Sequence, residues 1–322
     1  MRKNCESVIT FAMMLERLPY RGWPNAYRLS NRVVELIVTA DVGPRILFYG
    51  FCGRENMLHE VNDDAGKVGG SQFRLYGGHR LWVSPEVERT YYPDNLPVQT
   101  SQHGNAIRFT APREESPPGT NLQKELEIEL GVTGSEVRIT HRIRNEDTES
   151  TRLAVWTPTM LRAGTRAILP LSARVAMDTN HYLPVGVLSI WSYTDFADAR
   201  WRLGTSYIQL QQSTNPRGSF KEQMAGIYNS SGWGACFCDG SLFIKRADVI
   251  GGAQYPDFGS NFEVFTNPDF LELETLGPMI DLDPGEVAEH VERWWLFADV
   301  KGGEDDSWID SQVLPLVKQT SA

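Results

Sequence analysis

The stretch KELEIELGVTGSEVRITHRIR, residues 124–144, decides the fold. In its first half Leu126, Ile128 and Leu130 alternate with Glu125, Glu127 and Glu129. In its second half Val137, Ile139, His141 and Ile143 alternate with Arg138, Thr140, Arg142 and Arg144. Side chains two residues apart share one face of a strand, so each half is a strand with one apolar and one charged face. Thr133-Gly134 supplies a turn between them, and the whole reads as a hairpin that sets glutamates against arginines on its outer face. On this reading the three glutamates are structural, and His141 is a core histidine with a backbone partner.

The same pattern extends in both directions. Residues 33–39 alternate with Val34, Leu36 and Val38 on one face, and Asp41-Val42-Gly43-Pro44 breaks the chain before residues 46–51. Further strands are expected at 153–156, 207–211, 224–228, 235–238, 242–245, 262–266 and 287–297, with Gly, Pro, Asn and Asp gathered between them. Short helical turns are expected near 195–201, and no long amphipathic helix, repeat or linker stands out. Many short strands joined by turn residues predict an all-β chain, a large antiparallel sandwich or barrel. One domain is expected over 1–322, with an N-terminal extension through residue 25 and a C-terminal tail from 301.

With 322 residues, 41% of them hydrophobic, the chain has ample material for a core. Its net charge of −10 comes from 31 basic and 41 acidic residues. No block of Lys and Arg offers a footprint for nucleic acid or an anionic membrane. No apolar stretch is long enough to span a bilayer. The N-terminal run 8–15 follows Met1-Arg2-Lys3 but has no small-residue cleavage site after it, so a cytoplasmic location is expected, with export left open. Cys236 and Cys238 flank Phe237 on one strand face, the placement of buried thiols rather than of a metal or redox pair. The histidines are scattered, no phosphate-loop or dinucleotide motif occurs, and neither a metal nor a cofactor is called for.

Two stretches carry candidate chemistry. FLELETLGPMIDL, residues 270–282, places two carboxylates inside an apolar run, and Glu272 and Glu274 share a face with Phe270 and Leu276. Turn residues flank it on both sides, as they would flank a base aimed into a cleft. LYGGHRLWVSPE, residues 75–86, joins a flexible Gly77-Gly78 to an imidazole, a guanidinium and an indole. Read as extended chain, Arg80, Trp82 and Ser84 share one face and His79 takes the other. Trp rings stack on the C–H faces of sugars and Arg donates to hydroxyl oxygens. A core Trp beside a salt-bridged Arg would look the same.

Asp41-Val42-Gly43-Pro44-Arg45-Ile46, Gly77-Gly78-His79-Arg80-Leu81-Trp82 and the last third, from Tyr255 through Glu274-Thr275 to Pro284-Gly285-Glu286 and Trp294-Trp295, together resemble the galactose mutarotase-like (aldose 1-epimerase-like) superfamily, and more closely a bacterial branch of it. The resemblance implies a β-supersandwich with a sugar-sized cleft on a concave sheet. It further implies a glutamate that takes the anomeric proton and a histidine that protonates the ring oxygen. Leu273-Glu274-Thr275 matches the glutamate segment, which makes Glu274 the expected base with Glu272 beside it. The superfamily's histidine stretch corresponds to Trp156-Thr157-Pro158-Thr159, which has no histidine; His79, His103, His181 or a bound water could take the part, and His79 or His103 is expected to act as the acid. Arg80 is then a hydroxyl clamp and Trp82 a stacking platform, with Glu86, Trp156, Lys245 and Glu272 as further contacts to a mono- or oligosaccharide. Two alternatives stay open: a non-catalytic carbohydrate-binding protein, and an interaction protein with a vestigial cleft.

Overall fold

A computed structural model of the chain describes residues 14–115, 121–218 and 220–320. The charged hairpin forms as its alternation demands. Strands Leu122–Leu130 and Val137–Asn145 pair antiparallel with Glu125 opposite Arg142, Glu129 opposite Arg138 and Leu126 opposite His141. Leu126, Ile128, Leu130, Val137, Ile139 and Ile143 all enter the main core. On the outer face Arg142 reaches both Glu125 and Glu127, and Arg108 from the next strand reaches Glu127 as well.

This hairpin sits within a ten-stranded antiparallel sheet. From one edge to the other its strands run Trp201–Leu203, Tyr207–Gln211, Arg166–Pro170, Trp233–Cys238, Ser241–Ala247, Val287–Phe297, the two hairpin strands, Ala106–Thr110 and Gln99–His103. Facing it is a seven-stranded sheet ordered Leu188–Ile190, Gln223–Ile227, Phe262–Thr266, Leu271–Leu276, Thr151–Leu161 and Ile280–Leu282, with Trp82–Ser84 also pairing onto Thr151–Leu161. A four-stranded sheet, Met14–Tyr20 to Arg45–Phe51 in sequence order, joins it through His79, which bridges Ile46 and Thr159. One continuous apolar cluster fills the space between the layers. The chain is therefore all-β with large antiparallel sheets in a sandwich, as alternation predicts. Cys236 and Cys238 are free and buried, within that core.

Two expectations change at the edges of the pattern. Residues 14–25 are not an extension, because Met14–Tyr20 pairs with Trp23–Ser30 and Trp23 is buried. The run 8–13 and Cys5 lie outside the described residues. The C-terminal tail from 301 is itself structured. Asp305 caps a helical segment over 306–319 by accepting from Trp308 N at 2.8 Å. Trp308, Ile309, Val313 and Val317 then cover Ile168, Trp233 and Ile244 on the outer face of the ten-stranded sheet. Near 195–201 the chain makes turns and then the edge strand Trp201–Leu203. No helix among the described residues is long and apolar enough to cross a membrane.

Candidate functional site

Cross-strand register builds a floor on the outward face of the seven-stranded sheet. Pro158, Glu274, Glu263 and Gly226 stand in one row across four strands, and Met160, Glu272, Phe265 and Met224 stand in the next. The alternate residues Thr157, Thr159, Leu273 and Thr275 point the other way, between the layers. Glu272 and Glu274 thus share a face as the sequence predicts, but that face is no wet surface: both are buried, at 6% and 1% exposure.

Gly77 and Gly78 bring the second candidate stretch onto this floor. Gly78 has φ +73°, and a Cβ there would stand 2.0 Å from the Ile46 carbonyl oxygen. Only glycine lets the chain thread this close. Past it, His79 pairs between Ile46 and Thr159, and Arg80 N donates to Pro158 O at 3.1 Å. Strand alternation then turns His79 inward and Arg80 and Trp82 outward, over the floor.

The result is an open cavity of about 270 Å³, just below the roughly 300–1,000 Å³ of small-molecule sites. Arg80, Trp82, Glu86, Trp156, Glu272 and Glu274 all line it, together with Phe73, Tyr91 and Tyr193. One wall is aromatic: Trp82 meets Trp156 at 5.0 Å and Tyr91 at 5.2 Å between ring centroids. The Arg80 guanidinium carbon stands over the Trp82 ring, 4.0 Å from its centre, and Nη2 donates to Glu272 Oε1 at 2.6 Å. Its Nε has no protein partner. Trp156 Nε1 donates to Glu274 Oε2 at 2.7 Å, and at the rim Tyr91 OH bonds the Glu86 carboxylate.

The electrostatics of the floor separate its carboxyls. Burial pushes Glu274 well above the usual carboxylate range, and the neighbouring Glu272 charge adds to it. Burial does the same to Glu263, reinforced by Glu274, Asp257 and Glu86. Burial also raises Glu272, but there the Arg80 guanidinium opposes it most strongly. A direct buried pair with arginine favours the charged form. Glu272 is therefore the carboxyl of the floor most favoured to ionise, and Glu274 and Glu263 are those most favoured to keep a proton.

Three expected site residues are elsewhere. His79 is fully buried between the layers, its Nδ1 2.8 Å from Thr159 Oγ1 and its Nε2 2.7 Å from His141 Nε2. His141 Nδ1 faces the His290 carbonyl at 3.0 Å and so must carry a proton. His141 Nε2 then accepts from His79, whose Nδ1 accepts from Thr159. Both rings are neutral, and burial holds both below the ordinary imidazole range. Strand parity rules His79 out as an acid for the cleft. Lys245 is equally internal: its Nζ pairs with Glu292 Oε1 at 2.7 Å and donates to Thr157 O, Thr159 Oγ1 and Leu273 O. It comes from the opposite sheet and cannot touch a ligand on the far face of this one. His103 ends the strand Gln99–His103, exposed at the outer edge of the ten-stranded sheet, and contacts Ser101 Oγ at 3.0 Å. Among the described residues no histidine lines the cavity.

His79, His141 and Glu292 bring potential ligand atoms within 4.8 Å of one another. Their own bonds close the group. Two nitrogens on one zinc-sized ion stand more than about 3 Å apart, whereas these imidazoles bond directly at 2.7 Å. The Glu292 oxygens already accept from Lys245, Thr157, Thr275 and Trp294.

Sequence reasoning missed Glu263, Asp257, Tyr193 and Phe73. For Glu263 a signal existed: FEVFT, residues 262–266, is a second apolar strand with one buried glutamate.

No family model matches the chain, and no curated protein does. Solved structures do. A galactose mutarotase-like protein from Lactobacillus casei shares 10% identity over 85% of this chain and 100% of its own, with a TM-score of 0.53. A protein from Klebsiella pneumoniae provisionally called an aldose 1-epimerase shares 13% over 96% and 88%, with a TM-score of 0.52. A TPR-domain containing protein from Parabacteroides distasonis shares 14% over 91% of this chain, with a TM-score of 0.53, and the chain spans 54% of its length. At these identities the likeness is one of fold.

Proposed function

With the galactose mutarotase-like fold as premise, we propose that the chain acts on an unphosphorylated sugar in this cleft, as an aldose epimerase-like isomerase. One observation carries the reading: a carboxylate held by arginine and a carboxyl held protonated stand side by side on one strand, under an aromatic wall. Such a pair, pushed apart by environment, is what acid–base chemistry at one centre requires. Relative to the sequence expectation the roles shift. Glu272 takes the proton of the anomeric hydroxyl while Glu274 gives its proton to the ring oxygen. The bond between the anomeric carbon and the ring oxygen breaks, the aldehyde end rotates, and the reverse transfers close the other anomer. No histidine is needed. Trp82 and Tyr91 stack against the sugar, and the free Arg80 Nε–H points to a hydroxyl. A phosphate would meet the carboxylates with no uncommitted cation to offset them.

The absence of a histidine from the lining favours a second reading, a non-catalytic sugar-binding protein. Two-dimensional exchange NMR on a panel of aldoses separates the two. Anomer cross-peaks that grow with catalytic protein and vanish in Glu274→Gln support the isomerase. Line broadening without exchange supports binding alone, and silence with every sugar removes both.

A further inference from the structure

The isomerase reading leaves one end of the cleft unexplained. Glu86 and Glu274 line the cavity there, and Glu263 stands one strand beyond Glu274 in the same row. Asp257 closes the group from a turn in which both it and Phe258 adopt positive φ, 48° and 63°. It lies against Glu263 and Ser84. Arg80, the cation in the cavity lining, is already taken by Glu272.

A second feature is independent of the charge. Glu263 Oε1 and Ser84 Oγ, the latter on the cleft-facing side of its strand with Trp82, are buried without a partner at full hydrogen-bonding geometry, the Asp257 carboxyl being the group set against both. An orphaned buried acceptor is costly and asks for a donor. A divalent ion does not fit, because among the described residues only His79, His141 and Glu292 bring three ligand atoms close enough to share one. A looser, multi-donor cation does. An alkylammonium offers three N–H donors to acceptors spread around it.

We propose that the sugar preferred by this cleft is an amino sugar in its protonated form, whose ammonium group sits between Glu86, Glu263 and Glu274. This rests on the sugar reading of the cleft and adds its ligand class. In the empty protein, burial and mutual repulsion favour the protonated form of Glu263. The arriving positive charge lets Glu263 ionise, one proton leaves to solvent, and Glu274 keeps its own for the ring oxygen. A sugar amine also carries its charge a few bonds from the anomeric centre, within reach of the same strand.

The experiment is titration calorimetry of the full chain at pH near 7 with matched gluco, galacto and manno series, each as the 2-amine, the N-acetyl amide and the parent hydroxyl. In at least one series the amine binds roughly tenfold or more tighter than both uncharged partners, as charge-assisted hydrogen bonds to the acids would give. Its apparent enthalpy changes with the ionisation enthalpy of the buffer, showing proton release. Glu263→Gln narrows the ratio of amine to parent affinity. So does Glu86→Gln, whose site is exposed and tolerates change without unfolding. Equal affinity for amine and parent overturns the ammonium seat and leaves the sugar cleft standing. Calcium that binds the free protein and competes with the amine also overturns it, by assigning the acids to a metal. Failure of every sugar to bind removes the sugar reading and the proposal with it.

Discussion

Trp156 donates its indole N–H to Glu274 across two neighbouring strands, at 2.7 Å. The same indole packs edge-on against Trp82. The bond stabilises the ionised form of Glu274 and opposes the burial that keeps it protonated. Trp156→Phe keeps an aromatic ring but removes the donor. Glu274 should then hold its proton to higher pH, so the alkaline limb of a pH–rate profile for anomer exchange moves up. An orphaned buried acceptor should also lower stability by about 1–3 kcal/mol in urea. An unmoved limb would mean that Glu274 does not supply the proton.

Arg80 and Glu272 form a pair at 2.6 Å, with side-chain exposures of 2% and 8%. Removing either partner leaves the other charged and buried. Arg80→Gln and Glu272→Gln should each cost about 3–5 kcal/mol, and the double variant much less than their sum. A double-mutant cycle in urea checks this. Additive losses would show that the two groups do not act together.

Period-two alternation made much of this legible. It placed Leu126 with Ile128, Glu272 with Glu274, and Arg80 with Trp82, each on a common face, and each pair is found so. It also set His79 opposite Arg80. What alternation lacks is which face looks into the interior and which into a cleft, because both are buried here. Leu271–Leu276 is buried at every position, so its two faces differ by partner and not by exposure. Lys245 went astray for this reason: its neighbours Phe243 and Cys236 mark a core face, yet a lysine suggests a surface. The strands 14–20 and 23–30 were hidden by Glu16, Arg17, Asn25 and Arg28, which leave too little apolar periodicity to read. The helical segment at 306–319 was hidden by Pro315, which reads as a break in any helical pattern there.

Gly78 and Gly53 have nearly the same backbone angle, φ +73° and +71°, but different surroundings. A Cβ at Gly78 meets the Ile46 oxygen at 2.0 Å, and one at Gly53 meets nothing within 4 Å. Gly53→Ala should therefore cost only the left-handed backbone strain, about 1 kcal/mol. Gly78→Ala should cost at least about 2 kcal/mol more, since backbone must move. It should also weaken any ligand of the cleft, because Arg80 follows two residues later. Equal losses in a urea comparison would show that the Ile46 contact yields freely.

Buried acids and buried imidazoles make stability depend on pH in opposite directions. Burial holds His141 at about 4 and His290 at about 3, below their ordinary 6.5. Between those values the unfolded chain binds protons that the folded chain refuses, so stability falls as pH drops from about 6.5. For His141 alone this is on the order of 3 kcal/mol. Glu292, depressed by Lys245, loses stability in the same direction at still lower pH. Glu263 and Glu274 are raised. Above their ordinary 4.5 the folded chain binds the extra protons, so their contribution to stability falls as pH rises toward the folded values. From 4.5 to 6.5 the two groups therefore oppose each other and the stability curve should be shallow. Below 4.5 only the losses toward acid remain, and it should steepen. Glu263→Gln removes one of the raised acids. Its stability relative to the unaltered chain should improve as pH rises above 4.5, over the range in which the unfolded Glu263 has lost its proton and the folded one holds it. A difference that stays constant over that range would place the Glu263 proton at an ordinary carboxylate value and take away the cleft's proton store.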